Sequence, residues 1–179
     1  MDKKILVVYK SKTGFTKKYA QMIAEELGCE AIDGKQADSK KLSGYDTVVY
    51  GGRIFAGMVD GYKKMKEMYD ASAANELVVF ATGGTPNEAV DTIEKMWAQN
   101  FTGDEIDQIP HFYMQGGISY ERMGFMERKM MKMAAKMMAK NKDLSPEEQG
   151  FMEAIKSSYD ISDKKYINPL VEYLRKRKL

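Results

Sequence analysis

The feature that constrains the fold most is a polar, glycine-containing turn between an apolar strand and an amphipathic helix near the start of the chain. Residues 5–9, Ile-Leu-Val-Val-Tyr, form a short apolar run typical of a buried strand. Apolar residues then recur at helical spacing over 14–27. The turn between them, residues 11–16, reads Ser-Lys-Thr-Gly-Phe-Thr and therefore places hydroxyl groups beside the N-terminus of a helix.

This turn favours an anionic ligand, because free backbone N–H groups, the helix dipole and the hydroxyl groups act at the same place. The alternative is an ordinary helix cap supplied by Thr13 or Thr16. The pattern matches neither the loop of nucleoside triphosphate sites nor the dinucleotide fingerprint. A single phosphate monoester, held without a required cation, fits the turn better.

The turn resembles the first loop of the flavodoxin family, whose pattern Ser/Thr-x-Thr-Gly-x-Thr wraps the phosphate of FMN. The resemblance covers residues 1–118 and implies FMN as the cofactor, bound at the carboxyl edge of a parallel sheet. The residues that match this loop are Ser11, Lys12, Thr13, Gly14, Phe15 and Thr16.

Further apolar runs predict a doubly wound α/β fold. Strands are expected at 29–33, 46–52, 76–80 and 111–114, with helical segments between them and a loop at 53–58. This order predicts a parallel sheet covered by helices on both faces, in a single domain spanning 1–179. The resemblance implies a five-stranded sheet of order 2-1-3-4-5, with a helical insertion at about 120–162 after strand five.

Strands one, three and four each end in a glycine-rich loop, and ligands of open parallel sheets bind at such ends. Alternatively, the glycines only form tight turns. The resemblance implies that Gly52, Arg53, Ile54, Phe55, Ala56 and Gly57 flank one face of the isoalloxazine ring. It implies that Thr82, Gly83, Gly84, Thr85 and Pro86 flank the other. Phe55 is the candidate for stacking, with ordinary packing as the alternative, and Gly57 is the candidate to present its carbonyl to flavin N5.

The composition of the chain narrows the possible partners, metal sites and cellular location. The net charge of +2 argues against a nucleic-acid partner. One cysteine, Cys29, and one histidine, His111, predict no disulfide and no metal site, with a structural role favoured for His111. Because no apolar signal segment or run of about 18 apolar residues occurs, we expect a cytoplasmic protein, with a peripheral position at the inner face of the membrane as a variant.

The segment 121–142 is rich in methionine and carries seven Lys or Arg residues against two acidic residues. Three roles are open for this segment: packing on the domain or on a second subunit, a cap that admits an apolar substrate to the flavin, or contact with an anionic membrane. Residues 145–148, Ser-Pro-Glu-Glu, predict the start of a second inserted helix. The apolar positions at helical spacing are Met123, Met126, Met130, Met133 and Met137, with Lys129, Lys132, Lys136 and Lys140 largely opposite.

The inserted segment resembles that of the flavodoxin-like protoporphyrinogen IX dehydrogenases. This implies an FMN-dependent oxidoreductase of a porphyrinogen-like or other apolar substrate, in which flavin N5 carries the chemistry and no catalytic side chain is required. A carrier that exchanges electrons with a redox partner protein or a quinone is the other reading within this class. Two alternatives remain: a flavin-free interaction module on the same fold, and a peripheral membrane-associated electron carrier.

Overall fold

A computed structural model of the chain describes residues 3–140, 149–150, 152–153 and 155–177. The five main strands of the central sheet are neighbours in the order 30–33, 5–10, 47–55, 76–83 and 111–115, and each neighbouring pair is parallel, which confirms the predicted order. The strands are β1 (Ile5–Lys10), β2 (Glu30–Asp33), β3 (Thr47–Phe55), β4 (Met58–Val59), β5 (Glu76–Gly83), β6 (His111–Gln115), β7 (Gly117–Ile118) and β8 (Tyr159–Asp160).

Helices cover both faces of this sheet. The predicted second inserted helix begins at 145–148, which lie outside the described residues. The described helices are α1 (Phe15–Leu27), α2 (Ser39–Leu42), α3 (Tyr62–Asp70), α4 (Val90–Asn100), α5 (Glu105–Gln108), α6 (Phe125–Met138) and α7 (Asn168–Lys176), with short 3-10 turns at Gly34–Gln36, Tyr120–Arg122 and Lys164–Ile167.

The core lies in two layers, one on each side of the sheet, and β1 shows how the sequence produces them. Val7 packs in the layer formed by α1 and α7, whereas Leu6 and Val8 pack in the layer formed by α3 and α4. Successive side chains of a strand point to opposite faces, so a strand covered on both sides is apolar at every position. The continuous apolar runs in the sequence therefore reflect burial on both faces.

The predicted loop at 53–58 is wrong, because β3 continues to Phe55 and pairs with β4 in a hairpin. Ala56 and Gly57 form its two-residue turn with φ of 50° and 80°. Positive φ at both central residues is the geometry that suits the twist of a tight hairpin. Helix α3 accordingly begins at Tyr62, after Gly61 with φ of 83°.

A second small sheet joins the end of β6 to the far side of the inserted segment. Strands β7 and β8 pair antiparallel, and a Cβ at Gly117 would overlap the backbone of Tyr159. The Lys18 ammonium also lies 2.8 Å from the Asp160 carboxylate, which ties β8 to α1. Both ends of the inserted segment are thus held near the carboxyl edge of the main sheet. Within the described ranges, no helix combines the length and apolar character needed to cross a membrane.

Candidate functional site

The loops at the carboxyl ends of β1, β3 and β5 converge on one cavity of about 230 Å³. Residues from β7 and from the inserted segment complete its wall. Of the predicted site residues, those that line the cavity are Thr13, Phe15, Arg53, Ile54, Thr82, Gly83, Gly84 and Thr85. The additional lining residues are Gly116, Gly117, Ile118, Met123 and Met131. The other predicted residues, Ser11, Lys12, Gly14, Thr16, Gly52, Phe55, Ala56, Gly57 and Pro86, lie outside this lining.

The N-terminus of α1 is uncapped. Gly14 occupies the cap position with φ of 101°, and neither Thr13 nor Thr16 supplies a side-chain cap, so the alternative of an ordinary cap is wrong. Among the described residues, no group accepts a hydrogen bond from the N–H of Phe15, Thr16 or Lys17. Free N–H groups at a helix N-terminus favour an anion.

Besides these N–H groups, the hydroxyl of Ser11 in the same turn is a further hydrogen-bond donor. Its Oγ atom is buried and has no hydrogen-bond partner among the described residues. Burying a hydroxyl without a partner costs about 1–3 kcal/mol, so native structures leave few of them. A ligand oxygen at the turn would satisfy this hydroxyl, and the turn therefore fits a phosphate group.

Thr16 joins two of the predicted loops. It is buried, and its Oγ1 lies 2.8 Å from Oγ1 of Thr82, at the end of β5. A hydroxyl has one proton and two lone pairs, so this pair shares one proton and leaves the second available to another acceptor. The contact also fixes the distance between the first and third loops.

Glu127 of α6 is a central side chain of the site that the sequence interpretation missed. One carboxylate oxygen lies 2.5 Å from Nη2 of Arg53, and the other lies 3.0 Å from Nζ of Lys12 and accepts the N–H of Gly124 at 2.9 Å. Burial acts to raise the pKa of Glu127, but the Gly124 N–H and the two cations outweigh it and lower that pKa to about 2. The carboxylate therefore ties α6 to the first and second loops. The only feature of the sequence that could have indicated this role for Glu127 is its place at the third position of a helix, where a glutamate often caps the N-terminus.

Arg122 is the second missed residue. Its Nη1 donates to the carbonyl oxygen of Thr13 at 3.2 Å, and a Cβ at Gly14 would overlap the guanidinium. The positive φ at position 14 favours glycine, and the lack of a Cβ there leaves room for the Arg122 guanidinium. The segment after β7 consequently places a cation directly on the turn that the sequence assigned to an anion.

The loop after β5 is held against β6. The hydroxyl of Tyr113 donates to the carbonyl of Thr85 at 2.9 Å. The side chain of Asn87 accepts the N–H of Gln115 at 2.9 Å and donates to the carbonyl of Tyr113 at 3.2 Å. These bonds, all within the chain, hold the loop that contains Thr85 and Asn87 against β6 and so shape this wall of the cavity.

The tip of the β3–β4 hairpin, residues 55–57, lies outside the lining of the cavity. The Phe55 side chain, 39% exposed, packs beneath the Arg53 guanidinium, whose Cζ lies 4.9 Å from the ring centroid. The carbonyl of Gly57 accepts a hydrogen bond from the buried Asn100 side chain at 2.9 Å. Stacking by Phe55 and a carbonyl presented by Gly57 both stay predictions, and each requires the hairpin tip to rearrange from this conformation.

His111, the single histidine of the chain, lies outside the lining of this cavity. In the ranges that the structure describes, no group of three His, Cys, Asp or Glu side chains is placed to hold a metal ion. His111 lies instead in the core layer beside α4, with ring centroids 4.8 Å from Trp97 and 5.1 Å from Phe101, and its Nδ1 is 2.8 Å from the carbonyl of Ile109. A cavity with glycine-rich walls and apolar side chains suits a flat, largely apolar group with an anionic tail.

An open parallel sheet in this strand order, with a cavity at its carboxyl edge, defines the flavodoxin-like class of doubly wound α/β proteins. The model of the flavodoxin domain family matches residues 6–145, so the chain belongs to this family.

Solved flavodoxins and flavoproteins are similar to the chain at low identity. A flavodoxin from the domain Archaea is 20% identical, covering 63% of this chain and 84% of that chain, with a TM-score of 0.40. Oxidised flavodoxin 1 from Bacillus cereus is 16% identical, covering 66% and 88%, with a TM-score of 0.42. A flavoprotein from Lactobacillus acidophilus, solved in complex with FMN, is 20% identical, covering 63% and 92%, with a TM-score of 0.41. No curated protein matches the chain.

Proposed function

We propose that the protein is an FMN-binding oxidoreductase. The observation that carries the proposal is the convergence of three loops on one cavity beside a turn with an uncapped helix N-terminus and a buried, unpartnered hydroxyl. Membership of the flavodoxin domain family supports FMN as the ligand. When bound, FMN supplies the electron transfer, through N5 of its ring.

The residues of the chain bind and orient this cofactor. The phosphate is assigned to the hydroxyls of Ser11, Thr13 and Thr16 and to the N–H groups of Lys12 and Phe15, with the Arg122 guanidinium balancing its charge. The walls at 53–54 and 82–85 are assigned to the isoalloxazine ring. Since the described residues that line the cavity include no His, Cys, Asp, Glu or Lys, we assign to them the binding of the cofactor and the exclusion of water.

The inserted segment makes a dehydrogenase of an apolar substrate the preferred form of this function. Met123 and Met131 line the cavity, so the segment covers the site from the side that the three loops leave open. Methionine side chains adapt their shape to irregular apolar molecules. A porphyrinogen-like reductant, with a quinone or a redox partner protein as the acceptor, fits this cover. The alternative within the proposed function is a simple electron carrier that has no small-molecule substrate.

Two measurements test the proposal in sequence. Calorimetric titration with FMN and with riboflavin should show saturable binding of FMN, weakened by at least tenfold for riboflavin because the phosphate contacts are lost. The FMN-loaded protein should then convert protoporphyrinogen to fluorescent porphyrin, without oxygen, while a soluble quinone is reduced. If FMN binds but protoporphyrinogen is not oxidised, the protein is an electron carrier and not a dehydrogenase. If FMN does not bind, the proposal is overturned and a flavin-free interaction module is the remaining hypothesis.

A further inference from the structure

The outer face of α6 carries an apolar stripe that the domain does not cover. Four methionines at i, i+4, i+7 and i+11 lie on one side of the helix, over about 16 Å of its length. Their exposed fractions are 65% for Met126, 45% for Met130, 56% for Met133 and 71% for Met137. Packing on the domain, one of the roles expected from the sequence, is therefore wrong for these four methionines, whereas Met123 of the same predicted stripe lines the cavity. The helix faces the site with Glu127 and Met131.

The charges on the same helix have one sign wherever they meet solvent. Glu127, the single carboxylate of α6, is turned inward and paired with Arg53 and Lys12. The exposed cations are Arg128, Lys129, Lys132 and Lys136 of α6, together with Lys140, two residues beyond its end. In the part of the chain that the structure describes, no carboxylate pairs with any of these five. An exposed face with net charge of this kind attracts an extended anionic surface.

We propose that the outer face of α6 docks on an anionic lipid surface. The row formed by Lys129, Lys132, Lys136 and Lys140 was expected to lie largely opposite the methionines, but at 3.6 residues per turn it borders one side of the stripe along its length. This is the arrangement of a helix lying in the interface of a membrane. Such lysines keep their ammonium groups among headgroups while their methylene stems follow the apolar stripe. Methionine requires no shaped partner groove, which suits a fluid lipid surface.

A second copy of the chain fits this face less well. An isologous contact through α6 would bring five further exposed cations and no exposed carboxylate of that helix to the interface. Docking of α6 on lipid would also bring the lipid close to the cavity, because Met131, on the inner side of the same helix, lines the cavity. A docked α6 brings the cover of the cavity next to the lipid phase. The proposal concerns the surface alone and does not depend on FMN binding.

The test is co-sedimentation of the full chain with vesicles of phosphatidylcholine and with vesicles of phosphatidylcholine and phosphatidylserine, at low and high salt. We expect binding to the anionic vesicles at low salt only. The variant K129Q/K132Q/K136Q/K140Q should bind at least about tenfold more weakly, since each cation near an anionic surface contributes several-fold. The variant M126Q/M130Q/M133Q/M137Q should also bind at least about tenfold more weakly, because its apolar contact is lost. Glutamine keeps helix propensity in both.

The matched control is K40Q/K63Q/K95Q/K176Q, which removes four exposed lysines from other helices and changes the net charge equally. It should bind as the unmodified protein does. Equal losses in the control and in the α6 lysine variant, or no sedimentation with anionic vesicles, would overturn the proposal. So would a dimer in light scattering that the methionine variant dissociates, because the stripe would then be an interface between two copies. Unchanged far-ultraviolet circular dichroism establishes that each variant is folded.

Discussion

Among individual side chains, Ser11 has opposite expected effects on folding and on binding. Ser11→Ala removes a buried hydroxyl without a partner, so the ligand-free protein should gain about 1 kcal/mol in free energy of unfolding. The same change should weaken FMN binding about fivefold or more, because a phosphate contact is lost. Urea denaturation and FMN titration measure the two effects, with the exposed Thr92→Ala as control. A loss of stability without a change in affinity would contradict the assigned role.

Arg122 should act on the phosphate of the cofactor and not on its ring. Since its guanidinium lies on the carbonyl of Thr13, Arg122→Gln should reduce the affinity for FMN by about tenfold. The affinity for riboflavin, which has no phosphate, should stay unchanged. Fluorescence titration with both flavins measures this, and Arg128→Gln is the neighbouring control. Equal losses for both flavins would show that Arg122 only supports the shape of the cavity.

Glu127 should make the free energy of unfolding of the protein depend on pH in the acid range. Its pKa is about 2 in the folded protein against an ordinary 4.5, so it stabilises the fold fully above about pH 4.5 and loses this effect as the pH falls toward 2. The shift corresponds to about 3 kcal/mol. Between pH 7 and pH 3, the free energy of unfolding should therefore fall more in the unmodified protein than in Glu127→Gln.

Urea titrations at the two pH values measure this difference, with the exposed Glu94→Gln as control. An equal fall in Glu127→Gln and in the unmodified protein would contradict the ion-pair account of α6.

For whole elements, the turn of the β3–β4 hairpin gives a prediction of stability. Ala56 has φ of 50°, a region that costs an L-residue with a Cβ about 1 kcal/mol. Ala56→Gly should therefore raise the free energy of unfolding by about 0.5–1 kcal/mol, despite the entropy that glycine adds to the unfolded chain. Ala98→Gly, in the exposed part of α4, should lower it by about 1 kcal/mol. Chemical denaturation distinguishes the two signs, and equal destabilisation would contradict the strain at Ala56.

The long strands could be predicted from sequence, whereas the short ones could not. Strands β1, β3 and β5 are buried on both faces, and burial requires the continuous apolar runs that the sequence shows. Strands β4, β7 and β8 have two residues each, too few for any periodicity. Their pairing depends on positive φ at Ala56 and on close backbone approach at Gly117, which only the folded chain displays.

The orientation of α6 shows why part of the site escaped the sequence interpretation. The methionine periodicity correctly indicated a helix, but an apolar stripe is ordinarily the buried side. In this helix, the ion pairs of Glu127 with Arg53 and Lys12 set the inward side. These residues are far apart in sequence, and the pattern of a single chain does not reveal such long-range pairs. Arg122 and Asn87 were missed for the same reason.

For the molecule as a whole, charge and apolar surface are divided between two regions. The cavity gathers the loops of the sheet, an uncapped helix N-terminus and inward-facing methionines, while α6 presents cations and methionines outward. With a net charge of +2 for the whole chain, this local concentration is balanced elsewhere by acidic side chains. The expectation of a single domain over 1–179 stays a prediction.

The visible absorption spectrum of the purified chain, incubated with FMN and then freed of excess ligand, shows whether the cavity is a flavin site. We predict that the flavin absorption bands remain with the protein and are shifted from those of free FMN by the surroundings of the cavity. We also predict that the flavin fluorescence differs from that of free FMN. A colourless protein that retains no FMN would contradict the account of the cavity as a flavin site.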